Sequence, residues 1–235
     1  MVTSTVTHRA LDGVTYALST DLDLSKPATS VADVVVGGRL HEWTMGIDQL
    51  GDDVADALGL NGFDSELSYE GGLLRTAVST EYDPQTELVE HPLLVVWQAR
   101  RYSIVTRLYH ASVADALSQL RALRPEETDA GIAFSPDVSA GAAFAGPATV
   151  IKEVPGLGLL EMTAPTDEQT AQLPPWKGVP VVDGELYRDN LADGSPFFVM
   201  STPQVWATLV PLRDTDVNAV PDLAAQLALR VVEDD

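Results

Sequence analysis

Apolar and polar positions along the chain alternate with two different periods, and the change of period marks the elements. Residues 14–19 and 31–36 are short apolar and β-branched runs that read as strands, the second ended by Gly37-Gly38. From Ile47 the spacing lengthens. Ile47, Leu50, Val54 and Leu58 recur every three or four residues, with Asp48, Asp52, Asp53 and Asp56 opposite, which predicts an amphipathic helix over residues 47–59. Gly51 inside this pattern weakens it by about 1 kcal/mol relative to alanine.

A hairpin is expected between residues 66 and 82, turning at Glu70-Gly71-Gly72. The strongest β signal runs over residues 93–110. Its first part is apolar enough for burial on both faces, and its second part alternates. Such a run is long for one strand, so it either bulges at Arg100-Arg101 or turns there into a hairpin, and the turn is preferred. Ser112 with Asp115 three residues later has the form of a capping box. Val113, Ala116, Leu117, Leu120 and Leu123 continue it as a helix stripe that Pro125 stops.

Beyond a small-residue stretch at 130–146, strands are expected at 149–153 and 158–163, and a short helix from Thr166 with Gln169 at its capping-box position. A hairpin over 179–188 with Asp183-Gly184 as its turn follows, then strands at 196–200 and 205–212. A last helix over 220–230 would start near Pro221, with Leu223, Ala224 and Leu227 inward and Arg230 in its final turn. The whole predicts an α+β fold: a mainly antiparallel or mixed sheet with about three amphipathic helices, near 47–59, 112–124 and 220–230. The chain reads as one compact domain, residues 1–235, with a soft lobe boundary near 130–147. Val-Ala-Asp-Ala-Leu occurs at both 54–58 and 113–117. Duplication of a β–α unit and chance recurrence of helix-forming residues both account for it.

Charge changes the picture more than composition does. Asp and Glu number 35 against 14 Lys and Arg, for a formal charge of −21. The acids are spread along the chain, which favours a general surface property: high-salt adaptation, or the acidic bias of one proteome. A surface shaped for a basic partner is the third reading. Arg100, Arg101 and Arg107 are the nearest approach to a basic cluster, too little to displace counterions along a nucleic-acid backbone, so nucleic-acid binding is rejected. Cysteine is absent, which excludes disulfides, thiolate chemistry and Cys-ligated metal centres. The N-terminal residues lack the pattern of a signal peptide, and the apolar run at 93–97 is too short to span a bilayer. A cytoplasmic protein without membrane contact is therefore expected.

Candidate chemistry is sparse. The histidines are His8, His41, His91 and His110, and no pair has the spacing of a helical metal site. His41 follows Gly37-Gly38, where a base could face an open pocket, and His110 ends the long β run just before the capped helix. These two are the catalytic candidates, each with an ordinary loop or junction residue as its alternative. Asp214-Thr215-Asp216-Val217-Asn218 begins like a calcium loop, but Ala219 and Ala225 stand where the loop needs Gly and Glu. No phosphate-binding glycine loop or nucleophile elbow occurs, and neither cofactor nor metal is expected. Trp176, in the stiff Pro174-Pro175-Trp176 segment, and Phe197 are candidates for contacting a partner, Trp176 with a lid over the core as the alternative.

Two functions remain after these exclusions. One is a non-catalytic protein–protein interaction or assembly component, self-association included. The other is a small-molecule binding protein or an uncommon metal-independent enzyme that uses His41 or His110 with a nearby carboxylate. The lining of the largest pocket discriminates between them.

Overall fold

The computed structural model describes residues 3–85, 87–213 and 215–232. The elements in chain order are β1 (Ser4–Arg9), β2 (Thr15–Thr20), β3 (Ala28–Val36), β4 (Arg39–Ile47), α1 (Leu50–Ala57), β5 (Ser65–Tyr69), β6 (Gly72–Val78), β7 (Glu81–Asp83) and β8 (Leu88–Glu90). Next come β9 (Leu93–Gln98), β10 (Tyr102–Leu108), α2 (Val113–Leu123), β11 (Pro125–Thr128), β12 (Gly131–Phe134), a 3-10 turn at Val138–Ala140 and β13 (Ala142–Phe144). The last are β14 (Thr149–Val154), β15 (Gly158–Thr163), α3 (Asp167–Ala171), β16 (Val179–Val181), β17 (Gly184–Asn190), β18 (Pro196–Ser201), β19 (Trp206–Val210), α4 (Val220–Ala224) and β20 (Ala228–Val232).

Strands take 48% of the described residues and helices only 14%, so the expected α+β class with three amphipathic helices is wrong; this is a mostly antiparallel β protein with short helices. Two of the three expected helices shrink for identifiable reasons. Ile47 does not open α1, because it ends β4 opposite Tyr102, and the Asp48 N–H donates to the Arg101 carbonyl at 3.0 Å. The C-terminal helix stops after Ala224, and residues 228–232 pair with β2 instead. Leu227, Leu229 and Val231 satisfy a period of two as well as Leu223, Ala224 and Leu227 satisfy a helical one. An available strand partner then decides between them. The 112–124 helix is as expected, with both arms of the Ser112–Asp115 capping box in place and Arg124 closing it in the left-handed region.

Contacts divide the chain into two compact units. The middle unit comprises Leu11–Gly13 and Thr29–Gly146. Its antiparallel sheet has the order β13-β3-β4-β10-β9-β6-β5. Gly37-Gly38 ends β3, as expected, and does so as a two-residue turn into β4: Val36 faces Arg39, and both glycines have positive φ. Glu70-Gly71 does the same between β5 and β6. The residue 93–110 run turns as a hairpin, and a carboxylate shapes the turn. Glu127 of β11 accepts from the backbone N–H groups of Arg101 at 2.7 Å, Tyr102 at 3.2 Å and Arg100 at 3.3 Å.

Both faces of this sheet are covered. On one, Leu94 and Val96 of β9 and Val105 of β10 pack with Ala55, and Leu50, Val54 and Leu58 of α1 close over them. On the other, Trp43 meets Phe134 edge to face at 5.6 Å, and α2 contributes the buried Ala116, Leu120 and Leu123. β9 is accordingly buried along almost its whole length.

The flanking unit comprises Met1–Ala10, Val14–Ala28 and Pro147–Asp235. It holds a small sheet β1-β2-β20 and the antiparallel run β14-β15-β19-β18-β17-β16. Alternate residues such as Val150, Leu160, Met162, Phe198, Met200 and Leu209 make its core. The turn between β16 and β17 is Val182-Asp183 rather than Asp183-Gly184, because Val181 pairs with Gly184. A Cβ on Gly184 would strike the Ser201 carbonyl, so this glycine serves strand packing, while Asp183 takes the positive φ.

Candidate ligand site

The site arises where two strands of the middle unit part company. β4 and β10 pair from Ile47–Tyr102 to Thr44–Val105, and there the ladder stops although both strands continue. Thr106 is the reason visible at the junction. Its buried hydroxyl donates to the Glu42 carbonyl at 2.6 Å, so a side chain takes the acceptor that a backbone N–H would otherwise have taken. Beyond this point lies a cleft of about 740 Å³.

Its floor is apolar: Val54, Ala57 and Leu58 of α1, Val105 of β10 and Leu40 of β4, which is 61% exposed. Its rim is polar, with Arg39, His41 and Glu42 from β4 and Arg107, Tyr109 and His110 from the end of β10. A second cleft, of about 510 Å³, is lined by Arg39, His41, Tyr109 and His110 as well, together with Asp115, Ser118 and Gln119 of the α2 region. Residues Arg39 and His41 thus belong to both hollows of the parted strands.

The two candidate histidines are brought to one cleft, by different means. His41 sits within β4, opposite Val34, not in a loop. Its Nε2 lies 3.1 Å from the Gln119 amide nitrogen, and the Gln119 amide oxygen is buried with no hydrogen-bond partner. Partial burial, reinforced by the Arg39 guanidinium, lowers the His41 pKa below the ordinary histidine value. His110 has a positive φ of 53° and turns the chain from β10 into α2, leaving its side chain exposed at the cleft.

The remaining rim groups differ in how far they are committed. Glu81 of β7 accepts from Tyr109 Oη at 2.7 Å and from Arg107 Nη1 at 3.1 Å. That hydrogen bond, with some burial, raises the Tyr109 pKa. Asp115 accepts from the Ser112 N–H and hydroxyl, and these bonds hold its carboxyl below the usual range, with Arg39 adding to the effect. Arg39 itself makes no ion pair among the described residues. Neither His41 nor His110 is hydrogen-bonded to a carboxylate among them, so the histidine–carboxylate pairing expected from the sequence is not formed among these residues. An apolar floor with a few convergent polar groups is the general make-up of a small-ligand pocket.

No known protein family, curated protein or solved structure matches the chain significantly. The site must therefore be read from its own geometry.

Trp176 and Phe197 lie in the flanking unit. Trp176 is 66% exposed, and Phe197 is half-buried in β18 opposite Asp189. The sequence pattern 214–218 begins at Asp214, which lies outside the described residues. Among those described, no group of three or more His, Asp or Glu side chains could hold a metal ion. No helix among them is long and apolar enough to cross a membrane.

Arg39, Thr106 and Gln119 were not singled out by the sequence pattern. Arg39 could have been found by treating Gly37-Gly38 as a hairpin turn, since the next strand then begins at Arg39 with His41 two residues on. Nothing in the sequence points to the hydroxyl of Thr106 stopping a ladder, because that role depends on the β4–β10 register.

Proposed function

We propose that this protein binds a small molecule in the cleft between β4 and β10. One observation carries the reading: a cleft of about 740 Å³ pairs an apolar floor with both candidate histidines and two arginines. Sites for small ligands are typically hollows of roughly 300–1,000 Å³ with mostly apolar walls and a small number of placed polar groups. The test is a methyl-resolved NMR screen of the whole chain against a library of small metabolites. Binders should shift the methyl signals of Leu40, Val54, Leu58 and Val105, and Ala57→Trp, an exposed helix position on the floor, should abolish those shifts. Shifts that survive this substitution, or that never involve these methyls, refute the reading.

A second reading, contact with a protein partner or with another copy of the chain, is favoured by the β7–β8 hairpin. Tyr82, Leu88 and Val89 on it are each more than half exposed. Light scattering at low and high salt tests it. Self-association through this arm should tighten with salt, as repulsion between two −21 chains is screened, and should vanish in Tyr82→Ser/Leu88→Ser. A monomer at every salt concentration that recovers no protein from its source refutes it.

A further inference from the structure

Resting on the reading of the cleft as a ligand site, we infer that its ligand is an aliphatic amphiphile carrying a single negative charge, a monocarboxylate. Four observations converge on that class.

The first is the distribution of committed and uncommitted charge. The Arg75 and Arg107 guanidiniums are paired with Asp52 and Glu81, whereas Arg39, at the lip of both hollows, has no ion-pair partner among the described residues. Asp115 is near enough to feel Arg39, but the two form no ion pair, and its Oδ2 accepts both bonds from Ser112. A planar guanidinium left in this state matches one carboxylate through two parallel hydrogen bonds.

The second is backbone. The Glu42 carbonyl faces β10, and in a strand a residue's N–H and C=O point to the same side, as do those of residues two apart. The N–H groups of Leu40 and Glu42 therefore point into the gap past the last β4–β10 pair, offering neutral donors to an anion beside Arg39.

The third is the floor. Leu40 leaves 61% of its surface exposed next to Val54 and Leu58, an apolar track that a polar metabolite would leave wet and an alkyl chain would cover.

The fourth is what limits the charge to one. Glu42 lines the same cleft, and the chain as a whole carries −21, so a second negative charge meets repulsion without a second free guanidinium to offset it. Nucleotides and sugar phosphates are disfavoured on this ground, and long-chain cations are disfavoured beside the unpaired Arg39.

Four ten-carbon probes separate these properties: decanoate, decanol, decylammonium and decanedioate, each titrated into the full chain with the cleft methyls as readout. Decanoate should bind at least tenfold more tightly than decanol and decylammonium, and decanedioate no more tightly than decanoate. Arg39→Gln should bring decanoate down to the affinity of decanol. If decanol or decylammonium binds in the cleft as well as decanoate does, or if the preference survives Arg39→Gln, the inferred head group is wrong while the cleft remains a ligand site. A tighter decanedioate overturns the single charge. If none of the four shifts the cleft methyls, or if Ala57→Trp leaves binding intact, the ligand site itself is refuted, and this inference falls with it.

Discussion

Replacing Gly51 by alanine sets two known effects against each other with opposite signs. In an isolated helix the substitution is favourable by about 1 kcal/mol, because alanine loses less conformational freedom on folding. In this protein Gly51 is the second residue of α1 and rests directly on the sheet. A Cβ there would overlap Val96 Cγ1, and would lie 3.2 Å from both Val96 Cγ2 and Arg75 Nη2. None of these neighbours can retreat cheaply. Val96 is fully buried between β6 and β10. Arg75 is held by its ion pair with Asp52 at 2.7 Å and by its stacking on Phe63 at 4.2 Å. Overpacking of this kind costs about 1–3 kcal/mol. Displacing α1 would also loosen the Asp52–Arg75 pair. The net expectation is a loss of about 1–2 kcal/mol, read from urea unfolding of Gly51→Ala beside wild type. Because Val96 is the obstacle, Val96→Ala should relieve part of the strain, so the double variant should be less destabilised than the two single changes added together. A Gly51→Ala protein as stable as wild type, or more so, would refute the close contact of α1 with β9, and with it the position of the cleft's helical wall.

Other measurements probe separate parts of the fold. Glu127→Gln removes the charged acceptor for three N–H groups of the β9–β10 turn and should cost about 2–3 kcal/mol at pH 7. Burial pushes the Glu127 carboxyl up but those donors outweigh it, so its folded pKa is depressed; wild type should lose this stabilisation as pH falls from 4.5 through the folded pKa, and the variant should not. His8 is lowered to about 4 by burial and then by Lys152, so an unfolded chain binds the proton that the folded one refuses; stability should fall as pH drops from 6.5 to 4, by up to about 3 kcal/mol, and His8→Gln should flatten that limb in a pH series of urea melts. Thr106→Val keeps the shape but leaves the Glu42 carbonyl without its hydroxyl donor, and should cost about 1–2 kcal/mol in the same assay, whereas a neutral result would refute the hydroxyl's role at the strand junction. Raising sodium chloride from 0.1 M to 2 M should raise the thermal midpoint, since the screening length of about 10 Å at the lower concentration shrinks to about 3 Å already at 1 M; a fixed or falling midpoint refutes self-repulsion as a significant part of the stability of a −21 chain.

Local sequence determines the structure wherever a turn or a cap depends on neighbouring residues. The Ser112–Asp115 box and the Gly71 turn are of this kind, as is the short helix capped by Thr166 and Gln169. The fold class failed where the decision is made at long range. Residues 228–232 carry a pattern compatible with both periods, and only pairing with β2, at the far end of the chain, selects the strand. β4 went unseen for a related reason. Arg39-Leu40-His41-Glu42-Trp43-Thr44-Met45 shows no clean apolar alternation, because one face meets α2 and Phe134 while the other meets α1. A strand covered on both sides, with polar residues at its open end, has no single hydrophobic face to display.

The candidate site follows from the same competition. His41 and His110 were identified as residue types able to do chemistry, but their meeting in one cleft depends on β4 and β10 being neighbours across 55 or more residues of chain. It depends also on the ladder ending at Thr44, beyond which the Thr106 hydroxyl occupies the Glu42 carbonyl. Had the ladder run on, the backbone of Leu40 and Glu42 would pair with β10 in an ordinary sheet. Parting the strands instead leaves unpaired backbone, an exposed leucine and an unneutralised arginine in one place. A ligand with one anionic and one apolar end, as proposed, would engage all three together.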